Sequence, residues 1–487
     1  MSQPKIHHQL SHFYKLFHRL NFAFLSILPE MFSPSITTMW SVWLPLISLV
    51  IIGLTHLVYK WRNPKCNGKL PPGSMGLPLI GETIQFFIPN KSLDFSPFIK
   101  ERMKRYGLLF KTSLVGRSVV ISSDPDFNHF LFGQEGKLVE LWYMDSFAKL
   151  LQQNSDSTTA TGYIHKYLRN LILSHFGTEI LKQKLHSDLE VAIRKALDAW
   201  CELPEVEFKN RSAAMIFEIT AKQIFSYCPK KSEENISEKL VGFLQALMSF
   251  PVNIPGTTFH RCLKNKRAVE KIIGHELEER AAFPERRQGD LLDQVLEDMK
   301  TEKFLNKDFV VHMMFGLLLA SFETISATLT LAMKLLTEHP SVVQELTEEH
   351  EELLKNRENP ESGLTWNEYK SMTFTHHVGY TIPKGWTIMV VPAVIQLNPR
   401  TYEDPLAFNP HRWKDMGAIA TAKNFIPFGG GSRSCAGADF SKVFMAVFIH
   451  VLVTNYSWTK IKGGNICRTP ALRFRDGFHI KVSKKKN

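Results

Sequence analysis

Phe428-Gly429-Gly430-Gly431-Ser432-Arg433-Ser434-Cys435-Ala436-Gly437 is the stretch on which the reading of this chain turns. It has the form F-x-x-G-x-R-x-C-x-G and runs into an apolar segment, Phe440 to Val453, that predicts a helix. A cysteine therefore stands at a helix start, behind a glycine-rich loop. The unpaired N–H groups of a first helical turn favour negative charge, so this is a place that stabilises a thiolate. Gly429, Gly430 and Gly431 can take backbone angles closed to other residues and turn loop N–H groups toward the sulfur. Arg433 adds a fixed positive charge two residues away. A thiolate with bare backbone on one side suits a flat, metal-bearing group. The bland alternative is a turn whose cysteine is merely packed, and five fixed residues in order weigh against it.

The window resembles the cysteine loop of the haem-thiolate monooxygenases, the cytochrome P-450 superfamily. The resemblance implies a mainly α fold with small β-sheets, haem as cofactor, and Cys435 as the protein ligand to iron. Phe428 and Arg433 would then lie in the haem site. In this family the sulfur pushes electron density onto iron and favours O–O cleavage.

Phe309 to Leu336 is a second long apolar run, roughly 40 Å as a helix at 1.5 Å per residue. Glu323 in its middle argues against a membrane span. Ala320-Ser321-Phe322-Glu323-Thr324 is similar to the family's A-G-x-E-T on its long central helix. The likeness implies that Ala320 lets the backbone approach the haem and that Glu323 relays protons. Thr324 would bond to the preceding turn or hold a water near bound oxygen. Ser321 replaces the usual glycine and narrows the space. Taken alone, the segment is equally an amphipathic helix with a solvated Glu-Thr edge.

His165 and Arg169 are four apart and share a helix face. The family uses a Trp or His and an Arg at this spacing to bind a haem propionate. Phe408-Asn409-Pro410-His411-Arg412-Trp413 resembles the family's F-x-P-x-R-[FW] segment. In relatives its arginine joins a glutamate and an arginine from an E-x-x-R helix. That helix belongs between Tyr369–Thr375 and Gly379–Trp386, yet only His376-His377-Val378 joins those flanks. A segment of roughly 25–30 residues is missing, as in a skipped exon or a faulty gene reading. Arg412 is then expected to lack a partner in the core, at about 3–5 kcal/mol for an uncompensated buried charge.

The 487 residues are 44% apolar and 22% charged, which suits a large core. The six cysteines are far apart with no C-x-x-C, so neither a zinc site nor a disulfide framework is indicated. Net charge is +12. There is no dense basic block with interleaved aromatics, so an anionic membrane and an acidic redox partner fit better than nucleic acid.

Trp40 to Tyr59 holds no Asp, Glu, Lys or Arg, and Lys60, Arg62, Lys65 and Lys69 come directly after it. About twenty such residues suffice to span a bilayer, and the flanking charge places the remainder of the chain in the cytoplasm. Leu70-Pro71-Pro72-Gly73, with Pro78 and Gly81, reads as a stiff spacer. The expected division is an extension over 1–38, an anchor over 39–60, a basic and proline-rich hinge over 61–82, and a haem-thiolate domain over 83–487 with a gap near 375–379. The extension is basic and poor in acids, like a plastid leader; a misplaced start codon is the alternative.

Within the family, Phe408–Trp413 and Ala320–Ser326 resemble the plant clan acting on triterpenoids and sterols. The Glu140-Leu141-Trp142 region is expected over the far side of the haem, where its apolar residues would suit a rigid terpenoid skeleton; they would equally suit ordinary packing. The expectation is a single-pass protein of the endoplasmic reticulum membrane with a cytosolic catalytic domain. It would hydroxylate a hydrophobic small molecule with electrons from an NADPH-dependent flavoprotein reductase. The alternative is a truncated isoform that binds no haem. A haem protein that only carries electrons is disfavoured by Glu323 and Thr324.

Overall fold

Short polar side chains set where many of the helices begin. The computed structural model describes residues 34–64, 66, 68–151, 162–227, 236–240, 243–247, 249, 251–355, 386–399, 401–413, 425–469 and 471–485. Helix α1 (Pro34–Arg62) carries Lys60 and Arg62 in its last turn. Helix α2 (Pro97–Tyr106) leads to β1 (Leu109–Leu114) and β2 (Arg117–Ser122), an antiparallel pair with Phe110 opposite Ile121. Helix α3 (Pro125–Phe132) opens on Asp124, whose carboxylate accepts the Phe127 N–H at 2.8 Å. Helices α4 (Gly162–Phe176) and α5 (His186–Cys201) come next, then β3 (Val206–Glu207). Helix α6 (Phe208–Phe225) is capped by Glu207 and closes at Ser226 in a left-handed conformation.

Helix α7 (Thr258–Ala282) is capped by Thr257, α8 (Leu291–Asp298) by Asp290 and α9 (Lys307–Glu338) by Asn306. Each cap satisfies a backbone donor that the first helical turn leaves open. Helix α10 (Pro340–Lys355), β4 (Thr387–Val390) and α11 (Ala438–Asn455) precede β5 (Tyr456–Gly463), β6 (Ile466–Thr469), β7 (Ala471–Phe474) and β8 (Phe478–Lys484). The strands form three small sheets, β1-β2-β4, β3-β8-β5 and β6-β7. The architecture is thus mainly α with small β-sheets, as expected. The two long apolar runs are helices that extend about two residues past each expected end.

The core is built on α9. Phe322 packs edge-on against Phe217 of α6 with ring centroids 5.7 Å apart, and Phe315 packs against Phe243 at 5.4 Å. On the other side of the core, Phe448 of α11 meets Phe208 of α6 at 5.9 Å. Fully burying such a side chain is worth about 1.5–3 kcal/mol. By length and apolar composition three described helices could cross a membrane: Trp43–Arg62 of α1, α9 and α11. The last two pack into the core. None of residues 43–62 of α1 is fully buried, and the half-buried Trp61 donates from Nε1 to the Met75 carbonyl at 3.2 Å.

A buried ion network ties α6, α7 and α8 together. Arg280 of α7 is 1% exposed. It donates to both oxygens of Asp290 (2.8 and 2.7 Å), to Asp293 (3.0 Å), to Glu276 (2.7 Å) and to the Phe225 carbonyl (2.8 Å). Ser226 and the Gln288 and Gly289 N–H groups complete the shell around the two aspartates.

Residues 1–33 of the expected extension lie outside the described residues. So does the junction at 375–379, with its flanks up to 385. Arg412 differs from expectation. It is half-buried, and its guanidinium donates to the carbonyls of Glu403 (2.8 Å), Asp404 (2.9 Å), Ala407 (2.7 Å) and Asn409 (3.2 Å). Four carbonyl dipoles of its own loop take the charge, so the penalty for a stranded buried arginine does not apply.

Removing Arg280 would leave two aspartates buried without their counter-charge. Arg280→Ala is expected to cost about 3–5 kcal/mol, read as a lowered midpoint in urea unfolding of the purified chain. A midpoint within error of the parent would show that the aspartates find solvent or other partners.

Candidate active site

The cysteine loop closes on itself through Cys435 N–H to the Phe428 carbonyl, at 2.9 Å, and Ser434 N–H to the Gly431 carbonyl, at 3.2 Å. Gly429 and Gly431 have φ of +72° and +64°, angles costly for any side-chain-bearing residue. A Cβ on Gly430 would stand 2.6 Å from the Phe132 ring, and one on Gly431 would stand 2.1 Å from the Phe132 carbonyl oxygen. The glycines thus let the loop lie against the end of α3, a role that sequence reasoning did not assign them. Cys435 is exposed, three residues before α11 begins at Ala438.

Helix α4 holds the loop from another direction. Arg169 donates to the Ser434 carbonyl at 2.7 Å and to its hydroxyl at 3.3 Å. Arg433 reaches Glu135 Oε1 through Nε at 2.8 Å and Nη2 at 2.7 Å. Burial first, then the charges of Arg433 and Arg169, holds the His165 imidazolium below its ordinary range, against an upward pull from Glu135. The structure therefore gathers His165, Arg169 and Arg433 around the cysteine loop, with Glu135 among them. Phe428 lies beneath the Lys442 ammonium, 5.2 Å from its ring centroid.

On α9, Glu323 is buried and bound to Lys209 Nζ of α6 at 2.9 Å. Burying a carboxylate without such a partner costs several kcal/mol. Thr324 donates to the Ala320 carbonyl at 3.1 Å, the bond to the preceding turn that its position suggested. Ser321 donates to the Leu318 carbonyl at 2.8 Å, and its oxygen lies 3.0 Å from the Thr220 hydroxyl of α6. Ala320, Thr324 and Thr328, spaced by four, are exposed in the middle of a helix whose other faces are buried. No hydrogen bond joins these residues to the cysteine loop among the described residues. Trp142, expected over the site, stacks under Arg117 at 4.9 Å.

Sequence reasoning missed Phe132, Glu135 and Lys209. Each is far in the chain from its partner, and none sits in a patterned motif.

The sequence profile described as Cytochrome P450 matches residues 71–378 and 372–481. The chain belongs to the cytochrome P450 family. The beta-amyrin 16-alpha-hydroxylase CYP87D16 of Maesa lanceolata is 46% identical over 473 residues, covering 92% of this chain and 100% of the relative. The cucurbitadienol 11-hydroxylase of Siraitia grosvenorii is 45% identical, again over 92% and 100%. The cholesterol 16,22-dihydroxylase CYP90G4 of Trigonella foenum-graecum is 32% identical over 89% and 96%. Among solved structures, the retinoic acid-bound cyanobacterial CYP120A1 aligns with a TM-score of 0.70 at 23% identity, covering 86% of this chain and all of that one.

This cytochrome P450 is accordingly a monooxygenase, and its cofactor is haem. The residues present fit that group. Cys435 is exposed, and Arg169 and Arg433 outnumber their one neighbouring acid, with His165 beside them as a neutral hydrogen-bond donor, which suits a dianionic edge of two propionates. Ala320 and Thr324 form an open face of small side chains on which a flat ring can lie.

Cys435→Ala is expected to abolish the thiolate-type Soret band of the reduced, carbon monoxide-treated protein. Cys467→Ala, in the β6-β7 hairpin, should leave it in place. An unchanged band in the Cys435 variant would remove Cys435 as the ligand.

Proposed function

We propose that this cytochrome P450 hydroxylates a triterpenoid or sterol at the endoplasmic reticulum membrane, with electrons from an NADPH-dependent flavoprotein reductase. The observation that carries this reading is an exposed Cys435 in a doubly held loop, in a chain alike over its length to hydroxylases of beta-amyrin and cucurbitadienol. The apolar helix over 43–62, with Lys60 and Arg62 at its end, supports a membrane anchor. The net charge of +12 supports an acidic redox partner.

Each residue has a part in this reading. Bound haem supplies an iron centre that activates O2. Cys435 holds it as a thiolate, and His165, Arg169 and Arg433 meet its propionates, with Phe428 beside the loop. Ala320 leaves room at the face of α9. Glu323, held by Lys209, takes up or passes a proton only as that ion pair loosens. Thr324 offers its hydroxyl oxygen as an acceptor while its proton is engaged by the Ala320 carbonyl. A proton donor reached through such a pair acts on the oxygen chemistry, not on the grip on a hydrophobic substrate.

The second reading is a chain that lacks the E-x-x-R segment and fails to retain haem. Two observations favour it. The family match breaks into two pieces that meet at 372–378. The alignment to the Maesa relative spans 473 positions but uses only 92% of these 487 residues, so the relative has residues without counterparts here.

One experiment separates the two. The 487-residue chain and a version with a family-like E-x-x-R segment inserted after Thr375 are expressed and compared by carbon monoxide difference spectrum. Turnover is then measured with reductase, NADPH and beta-amyrin, cucurbitadienol and cholesterol. A thiolate band and turnover only in the repaired chain support the second reading for the chain as it stands. Both properties in both chains dismiss it. A thiolate band with no hydroxylation of any of the three would overturn the substrate class.

In whichever form turns over, Thr324→Ala is expected to raise hydrogen peroxide release per NADPH several-fold while substrate binding changes little. Equal coupling in parent and variant would exclude a role for the hydroxyl in proton delivery.

A further inference from the structure

Glu135 lies outside every motif of the sequence, yet the structure builds a small device around it. The turn after α3 closes on the Gln134 carbonyl, which accepts the N–H groups of Lys137, Leu138 and Val139 at 3.0, 3.0 and 3.3 Å. Gly136, at φ +75°, makes that turn possible and returns its N–H to the Val139 carbonyl at 2.9 Å. Glu135 is therefore presented on a tight, self-bonded loop. Its Oε1 takes two N–H groups from one edge of the Arg433 guanidinium. Both side chains are about one-fifth exposed, so the pair is only partly screened by water. Phe132, three residues earlier, is the surface on which Gly430 and Gly431 lie. The end of α3 and the turn after it thus clasp the cysteine loop by one packing contact and one ion pair.

This arrangement has a consequence for the cofactor edge. Arg433 is a cation beside the iron-binding loop, and Glu135 occupies its Nε–Nη2 edge. A propionate meeting Arg433 must approach another part of the guanidinium or share that edge. The acid also sets a fixed negative charge beside the group. Negative charge near the iron stabilises the ferric over the ferrous state, because the ferric centre carries one more positive charge.

We propose that Glu135 is a positioning residue of the haem site, which orients Arg433 by its Nε–Nη2 edge and lowers the reduction potential of the iron by its charge. This rests on the reading that Cys435 holds haem between these loops.

The test is potentiometric titration of the ferric-ferrous couple, paired with haem transfer to excess apomyoglobin. It uses the full chain, or its repaired form, wherever the parent shows the thiolate band. Glu135→Gln keeps an oxygen acceptor but removes the charge. It is expected to shift the potential positive with little change in the rate of haem loss. Glu135→Ala removes both, and should shift the potential positive and release haem several-fold faster. Glu135→Asp keeps the charge and should hold the parent potential. A residue that only braces the loop would speed haem loss without moving the potential in Glu135→Gln. An unchanged potential in Glu135→Gln, or in Glu135→Ala if the former does not accumulate, overturns the proposal while the thiolate band preserves the cofactor reading. Absence of that band in the parent, repaired or not, overturns both.

Discussion

Arg169 donates to the Ser434 carbonyl across 265 positions of sequence, and the candidate site depends on that bond. A loop with three consecutive glycines has little intrinsic preference for one shape. Besides its two internal backbone bonds it is held from outside, by Arg169 of α4 on one part and by Phe132 and Glu135 after α3 on another. The cysteine needs both constraints at once. Without them the thiol would sit on a loop whose conformational entropy opposes any single placement.

Helix α9 poses the opposite problem. It is buried over most of its circumference, so its one internal carboxylate has no water to turn to. Lys209 supplies the counter-charge from the first turn of α6. Ser321 and Thr324 satisfy their own hydroxyls on carbonyls of the same helix. The polar groups of this helix are therefore satisfied without opening it, and its exposed face is left to small side chains. Between Phe309 and Thr337 the helix exposes only Ala320, Thr324 and Thr328, a face of small side chains suited to border a flat cofactor.

Much of this was legible in the sequence, and the reason is locality. The cysteine loop, the long apolar helix, the placing of His165 and Arg169 on one helix and the apolar segment before Lys60 are all patterns within a few dozen residues. The Thr324 bond to the preceding turn comes from its place in a helix. The rest depends on partners brought together by folding. Lys209 is 114 positions from Glu323, and Glu135 is 298 from Arg433. An isolated Lys or Glu carries no signal of what it will meet. Arg412 failed for another reason. Sequence reasoning looked for acidic side chains, but the structure satisfies the guanidinium with backbone carbonyls, which every residue has and no motif marks.

The separation between the two halves of the clasp has a bearing on how the protein is made. Phe132 and Glu135 leave the ribosome 298 positions before the loop they receive. At about 5–20 residues per second, that interval lasts roughly 15–60 s. Through that time the end of α3 presents an aromatic ring and an acid to an empty seat. The thiol comes with that loop, four to six residues after its glycines at 429–431. Closure of the clasp, and with it the placement of the thiol, therefore has to wait until the loop has been made, long after α3.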